Sequence, residues 1–128
     1  MSKRVIKTDK APGAIGPYSQ AIQYGELLFL SGQLPSDPSS GAIEGDIKTQ
    51  THRVLKNMAA ILEAAGAGLN DVVKTTVFLK DLNDFSAMNE VYSQYFVTSP
   101  PARSTVQVAA IPRGALIEIE SIAFIKIR

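Results

Sequence analysis

The residues Pro100-Pro101-Ala102-Arg103-Ser104-Thr105-Val106 place a single arginine after a proline-stiffened turn and before a β-branched run. A guanidinium rooted in so restricted a backbone suits the grip of a carboxylate or phosphate through two parallel hydrogen bonds. Further on, Ile117-Glu118-Ile119-Glu120 sets carboxylates on an apolar strand. Alternation puts Glu118 and Glu120 on the same strand face as Ile122 and Phe124. A carboxylate beside buried apolar surface has a raised pKa, which suits a proton shuttle. One fixed cation and one half-buried carboxylate describe a site for a small anion whose reaction needs acid–base help. A surface arginine in a salt bridge, and a strand end emerging into water, would leave the same trace.

Other polar residues are weaker candidates. Gly13-Ala14-Ile15-Gly16-Pro17-Tyr18-Ser19-Gln20 is a rigid loop ending in an aromatic hydroxyl, and its glycine spacing is not that of a phosphate loop. Leu30-Ser31-Gly32-Gln33 ends a strand with a hydroxyl and a glycine, which allows close backbone approach. Ordinary turns would explain both segments equally well. Asn89 reads either as a polar site residue or as a solvated one. His52, beside Arg53 on a helix, reads as exposed. No nucleophile-elbow context supports Ser-His-Asp catalysis.

Composition narrows the chemistry. A chain of 128 residues predicts one domain, residues 1–128, with room for a real core. Hydrophobic residues make up 45 % and charged residues 20 %, an ordinary globular balance. A net charge of +1 supplies no field to draw in nucleic acid or an anionic membrane. The chain has no cysteine and one histidine, which excludes disulfides, thiolate catalysis and the usual zinc and iron–sulfur sites. No metal ligand set and no cofactor motif is evident. No signal core or bilayer-length apolar run is seen, so the expected location is the cytoplasm.

The elements that must position these residues follow from pattern. Arg4–Lys7, Tyr18–Tyr24 and Leu27–Ser31 read as strands, the last two joined as a hairpin at Gly25-Glu26. Gly32–Gly45 reads as a loop. Apolar residues at three- and four-residue spacing predict a helix over Asp46–Ala65, stopped by Gly66. Val72–Leu79 is a β-branched strand. A second helix runs from Asn83-Asp84 to about Val97 and is ended by Pro100-Pro101. Ser104–Ile111 and Leu116–Ile127 are the last strands, joined through Pro112-Arg113-Gly114. The order β-β-β-α-β-α-β-β gives two helices on one face of a sheet of about six strands. The last strand is largely apolar on both faces, so the face that the helices leave bare is expected to be buried against other subunits. Were the last two strands a tight hairpin, Thr105 would lie opposite Ser121 and Glu118 roughly 10 Å further along. Arg103 and Glu118 would then need another strand order, or different subunits, to meet.

The segments Ala14–Ala21, Leu30–Leu34, Val73–Phe85, Pro101–Val106 and Ile117–Ile119 resemble, in order and along the whole chain, the RidA (YjgF) family of reactive-intermediate deaminases. The resemblance implies an α+β, chorismate-mutase-like fold with a mixed sheet. It implies a homotrimer with a central barrel and sites in the clefts between subunits. The activity implied is cofactor-free hydrolysis of small 2-imino acids, 2-iminobutanoate and 2-iminopropanoate, to 2-keto acids and ammonia. Arg103 then corresponds to the arginine that holds the substrate carboxylate, and Glu118 to the glutamate that positions or deprotonates water. Tyr18, Ser31, Gly32 and Asn89 correspond to pocket residues. Thr105 stands where many close members have cysteine, and its hydroxyl can still hydrogen-bond a water. Two other readings remain. One is a ribonuclease or translation inhibitor, which the near-neutral charge and the lack of a basic, aromatic face oppose. The other is a regulatory trimer that binds a 2-keto acid without turnover.

Overall fold

The structure is a computed structural model that describes residues 2–126. Six strands, β1 (Arg4–Ile6), β2 (Ala21–Tyr24), β3 (Leu27–Gln33), β4 (Val72–Leu79), β5 (Ala102–Gln107) and β6 (Ile117–Phe124), form one sheet in the order β1-β2-β3-β6-β4-β5. Helices α1 (Ile47–Ala64) and α2 (Phe85–Tyr95) complete the fold. The expected α+β order of elements is therefore observed. All neighbouring strands are antiparallel except β4 and β5, which are parallel and joined through α2. A parallel pair needs such a crossover because the end of one strand and the start of the next lie at opposite ends of the strands.

Helix α1 begins where Asp46 accepts a hydrogen bond from the Thr49 amide at 3.0 Å. It ends where Gly66 turns left-handed (φ 85°) and Ala67 N–H reaches back to Leu62 O at 2.8 Å. Both are the expected caps. Its apolar stripe, Val54, Leu55, Met58, Ile61 and Leu62, is buried against the sheet's Leu28, Leu30, Val77, Ile117 and Ile119. Two polar residues of α1 are buried as well, and both tie loops down. Gln50 accepts from Leu116 N–H at 2.9 Å and donates to Gly45 O at 3.0 Å. Asn57 donates to Leu34 O and Ser36 O at 2.9 and 3.0 Å. These bonds hold the chain after β3 and the chain before β6 near each other.

The opposite sheet face carries no helix. Leu27, Phe29, Val106 and Phe124 stand 42 to 46 % exposed there. Along β6 the odd positions Ile117, Ile119, Ser121 and Ala123 are buried beneath the helices, and the even positions Glu118, Glu120, Ile122 and Phe124 face the bare side.

Several boundaries differ from the sequence reading. Tyr18 lies in the loop before β2, because Gly16 and Pro17 bend the chain until Gln20 anchors it. Strand β3 runs on to Gln33 through an irregular register. Strand β5 starts and stops earlier than expected, and α2 ends at Tyr95, ahead of a left-handed Ser99 (φ 49°). Strand β6 ends at Phe124, and the Ile127 end of the expected strand lies outside the described residues. The last two strands do not form a hairpin. Strand β4 lies between them, so Thr105 faces Val77 and Val77 faces Ile119. His52 is half-buried, its Nδ1 2.7 Å from the Tyr95 hydroxyl, since α1 and α2 pack side by side.

Ile119 is fully buried in the middle strand. Ile119→Ala is expected to cost about 2–5 kcal/mol of stability, measured by chemical denaturation.

Candidate active site

A register irregularity between β3 and β6 builds the first half of the site. Leu30 pairs with Ser121 and Gln33 with Ile119, so β3 carries one residue more than its partner. Such bulges bend a strand and re-aim its residues, often beside a site. Here Ser31 and Gly32 occupy the bulge, next to Glu118 on β6. Gly32 is there for space. A Cβ at this position would sit 2.9 Å from the Glu118 Cδ and closer still to its carboxylate.

Ser31 is anchored as well. Its Oγ donates to Ser19 O at 2.6 Å, and its amide donates to Gln20 O at 3.0 Å. Buried Gln20 clamps the preceding loop, donating from Nε2 to Thr8 O and Pro12 O at 3.0 and 2.8 Å while its Oε1 accepts from Thr8 N–H at 2.8 Å. That clamp holds the loop that presents Tyr18, whose ring is half-exposed and whose hydroxyl accepts from Ile15 N–H at 3.4 Å. Tyr18, Ser31, Gly32 and Glu118 all line one open cavity of about 770 Å3. Burial raises the Glu118 pKa above the ordinary glutamate value, and the neighbouring Glu120 charge raises it further. A carboxylate with a raised pKa is better fitted to exchange a proton with a substrate.

The second half lies elsewhere on the chain. Arg103 sits on edge strand β5 opposite Thr75, a residue buried under the helices. Its guanidinium carbon is 4.8 Å from the centre of the Tyr92 ring and 5.5 Å from that of Phe85, both on α2. Those aromatic faces stabilise the cation and hold its plane. The Tyr92 hydroxyl is 2.7 Å from Thr75 Oγ1, which fixes the ring in turn. Burial pushes the Tyr92 pKa up, so the phenol stays neutral beside the cation. Arg103 has no carboxylate partner, the ion pair among the described residues being Lys48–Glu90. Thr105, two residues on and on the same face, has a buried Oγ1 with no hydrogen-bond partner. Asn89 is partly buried on α2, next to Met88, whose Sδ lies 4.0 Å from Arg103 Nη1.

The seven residues singled out from sequence therefore fall into two groups. Tyr18, Ser31, Gly32 and Glu118 share the cavity, while Arg103, Thr105 and Asn89 gather at β5 and α2. Glu118 points to the bare side of the sheet and Arg103 to the helix side, two strands away, roughly 10 Å between strand axes. Within one chain they cannot hold the same small molecule. Sequence reasoning missed the cradle formed by Phe85 and Tyr92 on α2. Their spacing of seven, on one helix face and near a lone arginine, was the available signal. It also missed the anchoring role of Gln20.

Comparison with known proteins places this geometry. Residues 8–125 match the family described as endoribonuclease L-PSP. A RutC family protein of Pyrococcus abyssi is 62 % identical over 125 residues, covering 97 % of this chain and 98 % of that protein. The human 2-iminobutanoate/2-iminopropanoate deaminase is 53 % identical over 122 residues, covering 94 % of this chain and 89 % of that enzyme. The crystal structure of Escherichia coli TdcF with bound serine superposes with a TM-score of 0.93 at 46 % identity, covering 96 % of this chain and 99 % of that one. With a match across nearly its whole length, a shared fold and these identities, the chain belongs to the endoribonuclease L-PSP family, the family of YjgF and RidA.

Proposed function

We propose that this protein hydrolyses short 2-imino acids to 2-keto acids and ammonia, in a pocket shared between copies of the chain. The observation that carries the reading is the unpaired Arg103 guanidinium, fixed over two aromatic rings beside the unsatisfied Thr105 hydroxyl. A planar cation held without a counter-ion suits a carboxylate, and a buried orphan hydroxyl suits a water or an amine. The relatives named as deaminases of 2-iminobutanoate and 2-iminopropanoate support the substrate class.

Two halves on opposite sheet faces support a shared site, with Arg103, Thr105 and Asn89 of one copy facing Tyr18, Ser31, Gly32 and Glu118 of the next. The exposed Leu27, Phe29 and Phe124, neighbours across the β3–β6 pair, support it too, since an exposed apolar patch of this kind is ordinarily covered. The homotrimer implied by the sequence resemblance is the assembly we adopt. Light scattering at micromolar concentration that gave the mass of one chain would overturn it.

The chemistry needs neither metal nor covalent intermediate. The imine carbon is already electrophilic. Arg103 holds the α-carboxylate and orients the carbon. With the imine nitrogen protonated, Glu118 accepts a proton as water oxygen bonds to that carbon, giving a neutral carbinolamine. That proton passes to the nitrogen, the C–N bond breaks, and ammonia leaves as Glu118 takes the hydroxyl proton and the carbonyl forms; ammonia carries that proton away as ammonium. The alternatives are binding without turnover and cleavage of RNA. A net charge of +1 offers little to a polyanion.

Threonine dehydratase with threonine releases the imine in place, and adding this protein is expected to speed the appearance of 2-ketobutyrate. No acceleration would leave a binding protein instead. Arg103→Ala is expected to lower kcat/KM at least about 100-fold with the fold and the assembled mass retained, whereas full activity would overturn the assignment. Glu118→Gln should lower turnover more than it changes KM. Glu118 works in its ionised form and its pKa is raised, so activity should fall on acidification through a midpoint above the ordinary value of about 4.3. That acid limb should be absent in Glu118→Gln. Gly32→Ala should fold, displace the carboxylate and reduce kcat, which a crystal structure paired with kinetics would check.

A further inference from the structure

The cavity around Ser31, Gly32 and Glu118 is larger than a three- or four-carbon acid requires. On the single chain this open cavity measures about 770 Å3, within the range of roughly 300–1,000 Å3 typical of pockets for considerably larger ligands. Its remaining wall is built from the turn Asp37–Gly41 and from Arg113, just before β6. Three features single out Arg113. Its backbone is left-handed (φ 62°, ψ 20°), a conformation disfavoured for any residue with a Cβ and concentrated at functional positions. Its Nη2 donates to Gly41 O at 2.7 Å, which pins the guanidinium across the cavity rim and leaves the rest of its donor fork free. It also has no carboxylate within ion-pair distance among the described residues. Asp37 lines the same wall, but its carboxylate is engaged by Ser39 N–H, Ser39 Oγ and Ser40 N–H at 2.8–2.9 Å. Those bonds hold its pKa down to about 2, so its charge belongs to the turn.

We propose that Arg113 is a specificity-determining residue that receives a second, distal carboxylate, so that the pocket favours 2-imino and 2-keto diacids of the glutarate type over monoacids. This rests on reading the cavity as a 2-imino acid site. The α-carboxylate then lies on Arg103 of the neighbouring copy, the imine carbon by Glu118, and the side-chain carboxylate on Arg113. The cavity also holds Glu118 and Glu120. A substrate with a distal cation is the competing outcome.

The test is calorimetric titration of 2-oxoglutarate and 2-oxobutyrate into the wild type, Arg113→Gly and Arg113→Lys. These keto acids bind without turnover. Glycine tolerates the left-handed backbone, so Arg113→Gly keeps the turn. The wild type is expected to prefer 2-oxoglutarate. The ratio of the two Kd values should fall about tenfold in Arg113→Gly and survive largely in Arg113→Lys, which keeps the charge. An unchanged ratio in Arg113→Gly would overturn the proposal, as would tighter binding of 2-oxo-5-guanidinovalerate than of 2-oxoglutarate. A second arm generates 2-iminoglutarate from D-glutamate with D-aspartate oxidase and 2-iminobutanoate from D-2-aminobutyrate with D-amino-acid oxidase, with surviving imine trapped by semicarbazide. Hydrolysis of neither imine, with an Arg113-dependent diacid preference intact, would sink the deaminase reading and leave Arg113 standing. Hydrolysis of 2-iminobutanoate with a ratio indifferent to Arg113 would do the reverse.

Discussion

Two helices can shield one face of a six-stranded sheet and no more. That constraint organises everything else in this protein. The helix side of β6 is filled by Ile117, Ile119 and Ala123, all fully buried, while its other side carries two glutamates, an isoleucine and a phenylalanine. A carboxylate on the covered side would be desolvated among aliphatic groups at heavy cost. On the bare side Glu118 is only partly withdrawn from water, enough to raise its pKa. The same asymmetry sends Arg103 the other way, where α2 supplies two aromatic faces and no anion.

The functional residues are therefore held by the scaffold's regularities and by one departure from them. Regular alternation aims Arg103 and Thr105 together. The single extra residue in β3 presents Ser31 and Gly32, and glycine's missing side chain is the room that Glu118 occupies. Around these, amide side chains do the anchoring. Gln20, Gln50 and Asn57 are buried; the two glutamines spend both donor and acceptor on loop backbone, and Asn57 spends its amide hydrogens there. Flexible loops thereby become fixed walls without a metal or a disulfide.

Much of this was legible in the sequence. The helical period of α1, its Asp46 and Gly66 ends, and the alternation along β5 and β6 are local properties, and local properties survive in a linear string. Strand order is not local. Whether β6 pairs with β5 or slips between β3 and β4 depends on which surfaces fit, and the turn Pro112–Gly114 is compatible with either. The sequence likewise showed Arg103 and Glu118 as separate signals and left open how they would meet. The bulge at Ser31–Gly32 was foreshadowed only by a glycine after a hydroxyl. His52 was misread because its partner Tyr95 lies 43 residues away, across a helix–helix contact.

The central position of β6 has a consequence for how the molecule is made. Strand β6 hydrogen-bonds to β3 on one side and β4 on the other. Until it is in place, the sheet exists as two fragments, β1–β3 and β4–β5, that share no edge. A chain emerging from the ribosome can form both helices and the β2–β3 hairpin early, since these contacts are close in sequence. The two fragments can join only when residues near 117–124 arrive, and closing those long loops makes the step slow. During that interval the inward edges of β3 and β4 are open to any other strand, so the nascent protein is most exposed to mispairing just before β6 is added.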